Sequence, residues 1–240
     1  MNILNVNELC PNIYHFVFRN QYVLTATMMR IQEYYESSYE EIQGKFFKYE
    51  QYMDLYAERN NGKFSYYTDW SGFNVPGCIV RDFFRLFSYD FIIKERDIYE
   101  AIKAYIPNWH CEDRKYYIIA TYKDSKHKAS EKRIIEHEMA HGLWHTNDSY
   151  EKNMKLEILK FDKKNVLISK KIKENLIKMG YSKDVANDEM QAYLSTSTLR
   201  RIGELFDVEL KEKDRLGMID VFEKFTRNNY ESNNSSARHI

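Results

Sequence analysis

His137-Glu138-Met139-Ala140-His141 decides how this chain is read. On a helix, two histidines four positions apart project from one face, one turn above the other. Both imidazoles can then reach a single zinc ion. The glutamate between them can reach a water bound to that ion, which is what hydrolysis by an activated water requires. The flanking residues suit a helix with this orientation. At about 100° per residue, His137, His141 and His145 gather on one side, while Ile135, Met139 and Leu143 gather on the other. The apolar side can pack on a core, and the imidazole side faces a cleft with Glu138 at its margin.

Ahead of the helix, Lys115-Tyr116-Tyr117-Ile118-Ile119-Ala120-Thr121-Tyr122 is β-branched and aromatic over the length of a strand. A polar stretch from Lys123 to Lys132 separates the two. Strand, loop and histidine-bearing helix, over residues 115–145, resemble the core of the zincin metallopeptidases, the zinc enzymes with a His-Glu-x-x-His helix. The resemblance implies an α+β zincin-like fold, predominantly helical, with a small mixed sheet flanking the active-site helix. It implies one Zn2+ ion held by His137 and His141, Glu138 as general base, and a peptide or protein substrate. In that family the strand borders the cleft and pairs with an extended substrate. The exposed edge of residues 116–122 would do so here by β-augmentation.

Two histidines hold zinc weakly, and a catalytic site usually carries three protein ligands and one open position. The branch of the family with a third histidine on the same segment would need a glycine at position 144 and a histidine at position 147. Trp144 and Asn147 stand there instead. His145 does not serve, because three imidazoles on consecutive turns of a straight helix span about 12 Å. It is read as facing substrate, supporting a ligand or exposed. In the glutamate-zincin branch, the third ligand is a glutamate on a later helix. Asn187-Asp188-Glu189-Met190-Gln191-Ala192-Tyr193-Leu194 provides one, with Gly180 ending the preceding helix and Ser182 as N-cap of the new one. The resemblance points to Glu189, with Asp188 as the next choice. Several members of that branch place an aspartate four residues after the ligand, to orient the first histidine. Tyr193 occupies that position, so the orienting role passes to Asp188 or to a backbone carbonyl. Tyr193 either donates its hydroxyl to the oxyanion formed during attack or is a core aromatic.

The 240 residues suit one domain over 1–228, with a sheet-containing part to residue 124 and a helical, metal-binding part over 125–228. Charged residues make up 30% and balance to zero, without the clustered positive surface that nucleic acid requires. No apolar run is long enough to span a bilayer, and the N-terminus lacks a secretory pattern, so a cytoplasmic protein is expected. Cys10, Cys78 and Cys111 are too few and too scattered for a disulfide framework. The alternatives to a peptidase are a zinc-stabilised binding protein, its site closed by His145 or Asp188, and a metal-dependent hydrolase of non-peptide amides.

The aromatic residues (20 Tyr, 14 Phe and 3 Trp) concentrate in the first ninety positions and supply core candidates. Phe46, Phe47, Tyr49, Tyr52, Met53 and Tyr56 fit one helical face, and Ile79, Val80, Phe83, Phe84 and Phe87 another. Residues 63–70 read as a strand, and 71–77 as a loop lining a pocket or capping the core. Helices are expected near 148–161, 165–179, 183–206 and 215–228, with a disordered tail over 229–240.

Overall fold

A computed structural model describes residues 2–123 and 128–236, without side chains at 128–131 and 228–236. The chain is α+β, with a four-stranded mixed sheet and a majority of helix. It divides into two compact units, Met1–Lys128 and Ala129–Ile240.

The first unit begins with a hairpin, β1 (Ile3–Cys10) and β2 (Ile13–Phe18). Its tight turn needs a left-handed residue, and Asn12 adopts φ 71°, which asparagine tolerates better than most. Helices α1 (Gln21–Glu36), α2 (Tyr49–Arg59) and α3 (Tyr66–Asp69) follow, then strand β3 (Gly72–Pro76). Helices α4 (Gly77–Leu86) and α5 (Ile93–Tyr105) lead to β4 (Tyr117–Tyr122). The sheet order is β1-β2-β4-β3, with β4 parallel to β2 and antiparallel to β3.

That order corrects one expectation. Strand β4 is paired on both sides, so residues 116–122 offer no open edge to a substrate peptide. Its neighbour β3 comes from the stretch expected to be a loop. Phe73 and Val75 point into the core while Asn74 points away, a strand alternation masked in the sequence by glycine and proline. Proline is tolerated at the end of this edge strand because its missing N–H breaks no interior ladder. The adjoining expectation of a strand at 63–70 is also corrected. Tyr66–Asp69 forms a short helix, and the fully buried Tyr66 ring packs edge-on against Tyr52 and Tyr56. Tertiary packing of the aromatic ring overrides its strand preference.

Helix α1 runs through the core of this unit, capped by the Asn20 side chain, which accepts from the Val23 N–H. Burial on nearly every side leaves Arg30 wholly inside. Its guanidinium is matched by the Glu95 carboxylate, by Asp90 Oδ2 at 2.7 Å and by the carbonyls of Phe47 and Asp90. A buried charge persists only when paired and bonded in this way.

The described residues of the second unit form helices and no strand: α6 (Lys128–Thr146), α7 (Asp148–Lys164), α8 (Val166–Lys178), α9 (Ala186–Thr196), α10 (Leu199–Phe206) and α11 (Glu212–Ser236). Gly180 ends α8 as expected, with φ 105°, and the Tyr181 N–H returns to the Leu176 carbonyl at 3.1 Å. Ser182 is not the N-cap of the next helix. Residues 183–185 form a turn, and α9 starts at Ala186. The single helix expected over 183–206 is two. Ser197 is extended, Thr198 caps α10 by accepting from the Arg201 N–H, and Arg215 takes the carbonyls of Leu194 and Ser197. Helix α11 runs to Ser236, through most of the tail expected to be disordered. No proline or glycine follows Gly217, and asparagine and serine cost a helix only about 0.5 kcal/mol each. Residues 237–240 lie outside the described set.

Candidate metal centre

The centre lies wholly within the second unit, where α6 meets α9. Helix α6 buries Met139, Ala140 and Leu143, which fixes its rotation and turns His137 and His141 toward α9. Helix α9 buries Ala186, Met190, Ala192 and Leu194 and lies against α7, α8 and α11. Its remaining face brings Asp188, Glu189 and Tyr193 to the histidines.

His137 Nε2 and His141 Nε2 lie 3.3 Å apart. Glu189 Oε1 is 3.6 Å from His141 Nε2, and Glu189 Oε2 is 3.9 Å from His137 Nε2. One donor atom from each residue falls within 4.8 Å of the other two, the one such cluster among the described residues. Donors about 2.0–2.1 Å from a tetrahedral zinc are separated by about 3.3 Å. The three side chains therefore fit a single ion with modest closure, and two imidazoles with one carboxylate suit zinc chemically.

Asp188 is not one of the converging donors. Its Oδ2 lies 3.0 Å from His141 Nδ1, on the far side of the ring from Glu189, and its Oδ1 accepts from Gln191 Nε2 at 3.0 Å. Of the two orienting groups left open by the sequence, Asp188 thus takes the second histidine. The first, His137, has a hydrogen bond to the Ala192 backbone. His145 is more than a third exposed, its Nε2 lies 3.6 Å from Asp188 Oδ2, and it is outside the cluster.

The electrostatics divide the two histidines. Burial, then the neighbouring His141, push the His137 imidazole down to about 3. Burial also pulls His141 down, but the charge of Asp188 and its hydrogen bond outweigh it, aided by Glu189 and Glu138, and the net shift is upward. Asp188, although buried, is held well below the usual carboxylate range by His141 and His145. A neutral imidazole such as His137 could take a metal ion directly, whereas His141 would first have to give up a proton.

Glu138 is half-buried, and its charge reaches His141, Tyr181 and Tyr193. The Tyr193 ring lies 4.5 Å from that of His137 and edge-on to Phe206 at 5.2 Å. Burial weakens the acidity of both Tyr193 and Tyr181, and the charges of Glu189 and Glu138 weaken it further. The sequence reading missed Tyr181. The available signal was its place directly after Gly180, where a helix-ending turn returns the chain toward the helix it has just left.

Protein-family models, curated proteins and solved structures were all compared with the chain. None matches it.

Proposed function

We propose that this chain is a zinc-dependent metallopeptidase of the zincin type. The observation that carries the reading is the convergence of His137, His141 and Glu189 at separations suited to one ion, with Glu138 on the same helix. Zinc held there would supply the Lewis acidity that makes water nucleophilic at neutral pH and polarises a scissile carbonyl. The chain's own groups do the rest. Glu138 accepts the proton of the attacking water and passes it to the departing amine nitrogen. Tyr193, its ring 4.5 Å from that of His137, donates its hydroxyl toward the negative charge that develops on the carbonyl oxygen. Asp188 and the Ala192 backbone hold the two imidazoles in place. A site closed by a fourth protein ligand is less well supported, since Asp188 is engaged by Gln191 and His141 and no cysteine is near in the sequence.

The test is a broad peptide-library digest with wild-type protein and Glu138→Gln, alongside zinc stoichiometry. The variant should retain one zinc and lose turnover by about 10²–10⁴-fold. Zinc-loaded wild type that cleaves no peptide would favour a binding protein, or a hydrolase of non-peptide amides if such a substrate is turned over. A Glu138→Gln protein as active as wild type would remove Glu138 from the mechanism.

A further inference from the structure

Three fully buried or nearly buried polar side chains lie behind His141. Tyr150 on α7 and Gln191 on α9 have no exposed surface, and Asp188 is 9% exposed. The Tyr150 hydroxyl donates to Gln191 Oε1 at 2.7 Å. Gln191 Nε2 donates to Asp188 Oδ1 at 3.0 Å, and Asp188 Oδ2 faces His141 Nδ1 at 3.0 Å. We propose that Tyr150, Gln191 and Asp188 form a buried hydrogen-bonded line that fixes the ring proton of His141 on Nδ1, presenting Nε2 to the cation. The inference rests on the zinc-site reading above for its purpose, and on these contacts for its existence.

The line has one self-consistent direction. An imidazole coordinates through the nitrogen that carries no proton, and the partner of the other nitrogen decides which that is. An ionised carboxylate only accepts, so Asp188 requires a proton on Nδ1. Left alone, a buried carboxylate could turn or take up a proton on its second oxygen. The Gln191 NH2 group occupies that oxygen and can only donate there, which opposes both changes. A flipped Gln191 amide would set its oxygen against the carboxylate and its NH2 against Tyr150. The observed direction avoids that repulsion, and the Tyr150 hydroxyl adds a bond that holds it. Tyr150 is itself fixed by the Asn147 cap of α7, whose side chain accepts from the Tyr150 N–H at 3.0 Å. The line thus joins α7 and α9 to the second histidine of α6. Gln191 and Tyr150 are positioning residues, with no contact to the donor face of the imidazoles.

Two nearly isosteric variants test the proposal. Gln191→Glu replaces the amide facing Asp188 with a second carboxyl group, and Tyr150→Phe removes only the hydroxyl. Zinc affinity is measured by competition with a chromophoric chelator, and the His141 Nδ1–H by ¹H–¹⁵N NMR in both metal-free and zinc-loaded protein. Wild type should show a ring proton protected from exchange in both states. Zinc affinity should fall by about 10–100-fold in Gln191→Glu and by about 10-fold in Tyr150→Phe, with the protected proton lost or exchanging faster. Folded variants with unchanged affinity and an unchanged ring proton overturn the proposal. If Gln191→Glu does not fold, Tyr150→Phe decides it. Wild type that binds no zinc yet keeps the protected proton, and loses it in the variants, would sink the peptidase reading and sustain the line.

Discussion

Replacing Glu189 with glutamine keeps the size of the side chain and removes the charge of the third donor. Suppose zinc is supplied at about 100 times the wild-type dissociation constant. Binding then stabilises the folded form by about 2.7 kcal/mol. The helical unit contains roughly 110 residues, for which the unfolding entropy is about 0.23 kcal/mol/K and the gain in Tm about 12 °C. Were the whole chain to melt as one, the gain would be about 5 °C. Loss of a direct ligand costs more than the roughly 100-fold reached by supporting residues, so the same zinc concentration sits at or below the variant's dissociation constant. Stabilisation then drops to about 0.4 kcal/mol or less, a gain in Tm under about 2 °C. Differential scanning calorimetry of wild type, Glu189→Gln and a His145→Ala control, each with and without zinc, gives the comparison. The control should keep the full gain, because His145 lies outside the donor cluster. A Glu189→Gln gain equal to that of wild type would falsify the assignment of this carboxylate.

Tyr193→Phe removes a hydroxyl near the imidazoles while leaving the ring against His137 and Phe206. It should lower kcat by about 10²-fold with zinc affinity unchanged, so unchanged kcat in a peptide assay would return Tyr193 to a packing role. His15 is buried beside Thr121, at 2.7 Å, and burial holds it down to about 4. The unfolded chain takes up this proton near pH 6.5 while the fold resists until about pH 4. His15 therefore costs no stability above 6.5, and up to about 3 kcal/mol is lost as pH falls through that window. Urea midpoints at pH 7 and pH 4.5 should converge in His15→Gln relative to wild type; equal slopes in the two proteins would refute this. Glu95→Ala strands the buried Arg30 guanidinium and should destabilise the first unit by about 3–5 kcal/mol, measured by chemical denaturation.

The elements read best from the sequence are those governed by local periodicity. The 3.6-residue repeat alone orients His137, His141, Met139 and Leu143, and the structure keeps that division. Glu189 was reachable only through the resemblance to the glutamate-zincin branch, which places the third ligand on a later helix. What escaped depends on distant partners. Nothing local in Tyr117–Tyr122 reveals that β2, about a hundred positions earlier, and β3 occupy both its edges. The glycine and proline around Phe73 signal a break, whereas the strand there is set by pairing with β4. The Gln191–Asp188 line arises from where α9 starts and stops; α8 ends within a residue of its expected place, but α9 begins three residues late and ends at Thr196 instead of running on to 206.

Arg215 carries a consequence for the chain's tolerance of shortening. From the first turn of α11 it grips the terminal carbonyls of α9, at Leu194 and Ser197, while Glu212 neutralises it. The helix bearing two acidic side chains and a tyrosine of the centre is thus anchored from a point well downstream. Ending the polypeptide between residues 198 and 211 would keep His137, His141 and Glu189 in the sequence yet remove the Arg215 anchor that holds the end of α9. The start of α11 is thus a tether for the helix that carries Asp188, Glu189 and Tyr193.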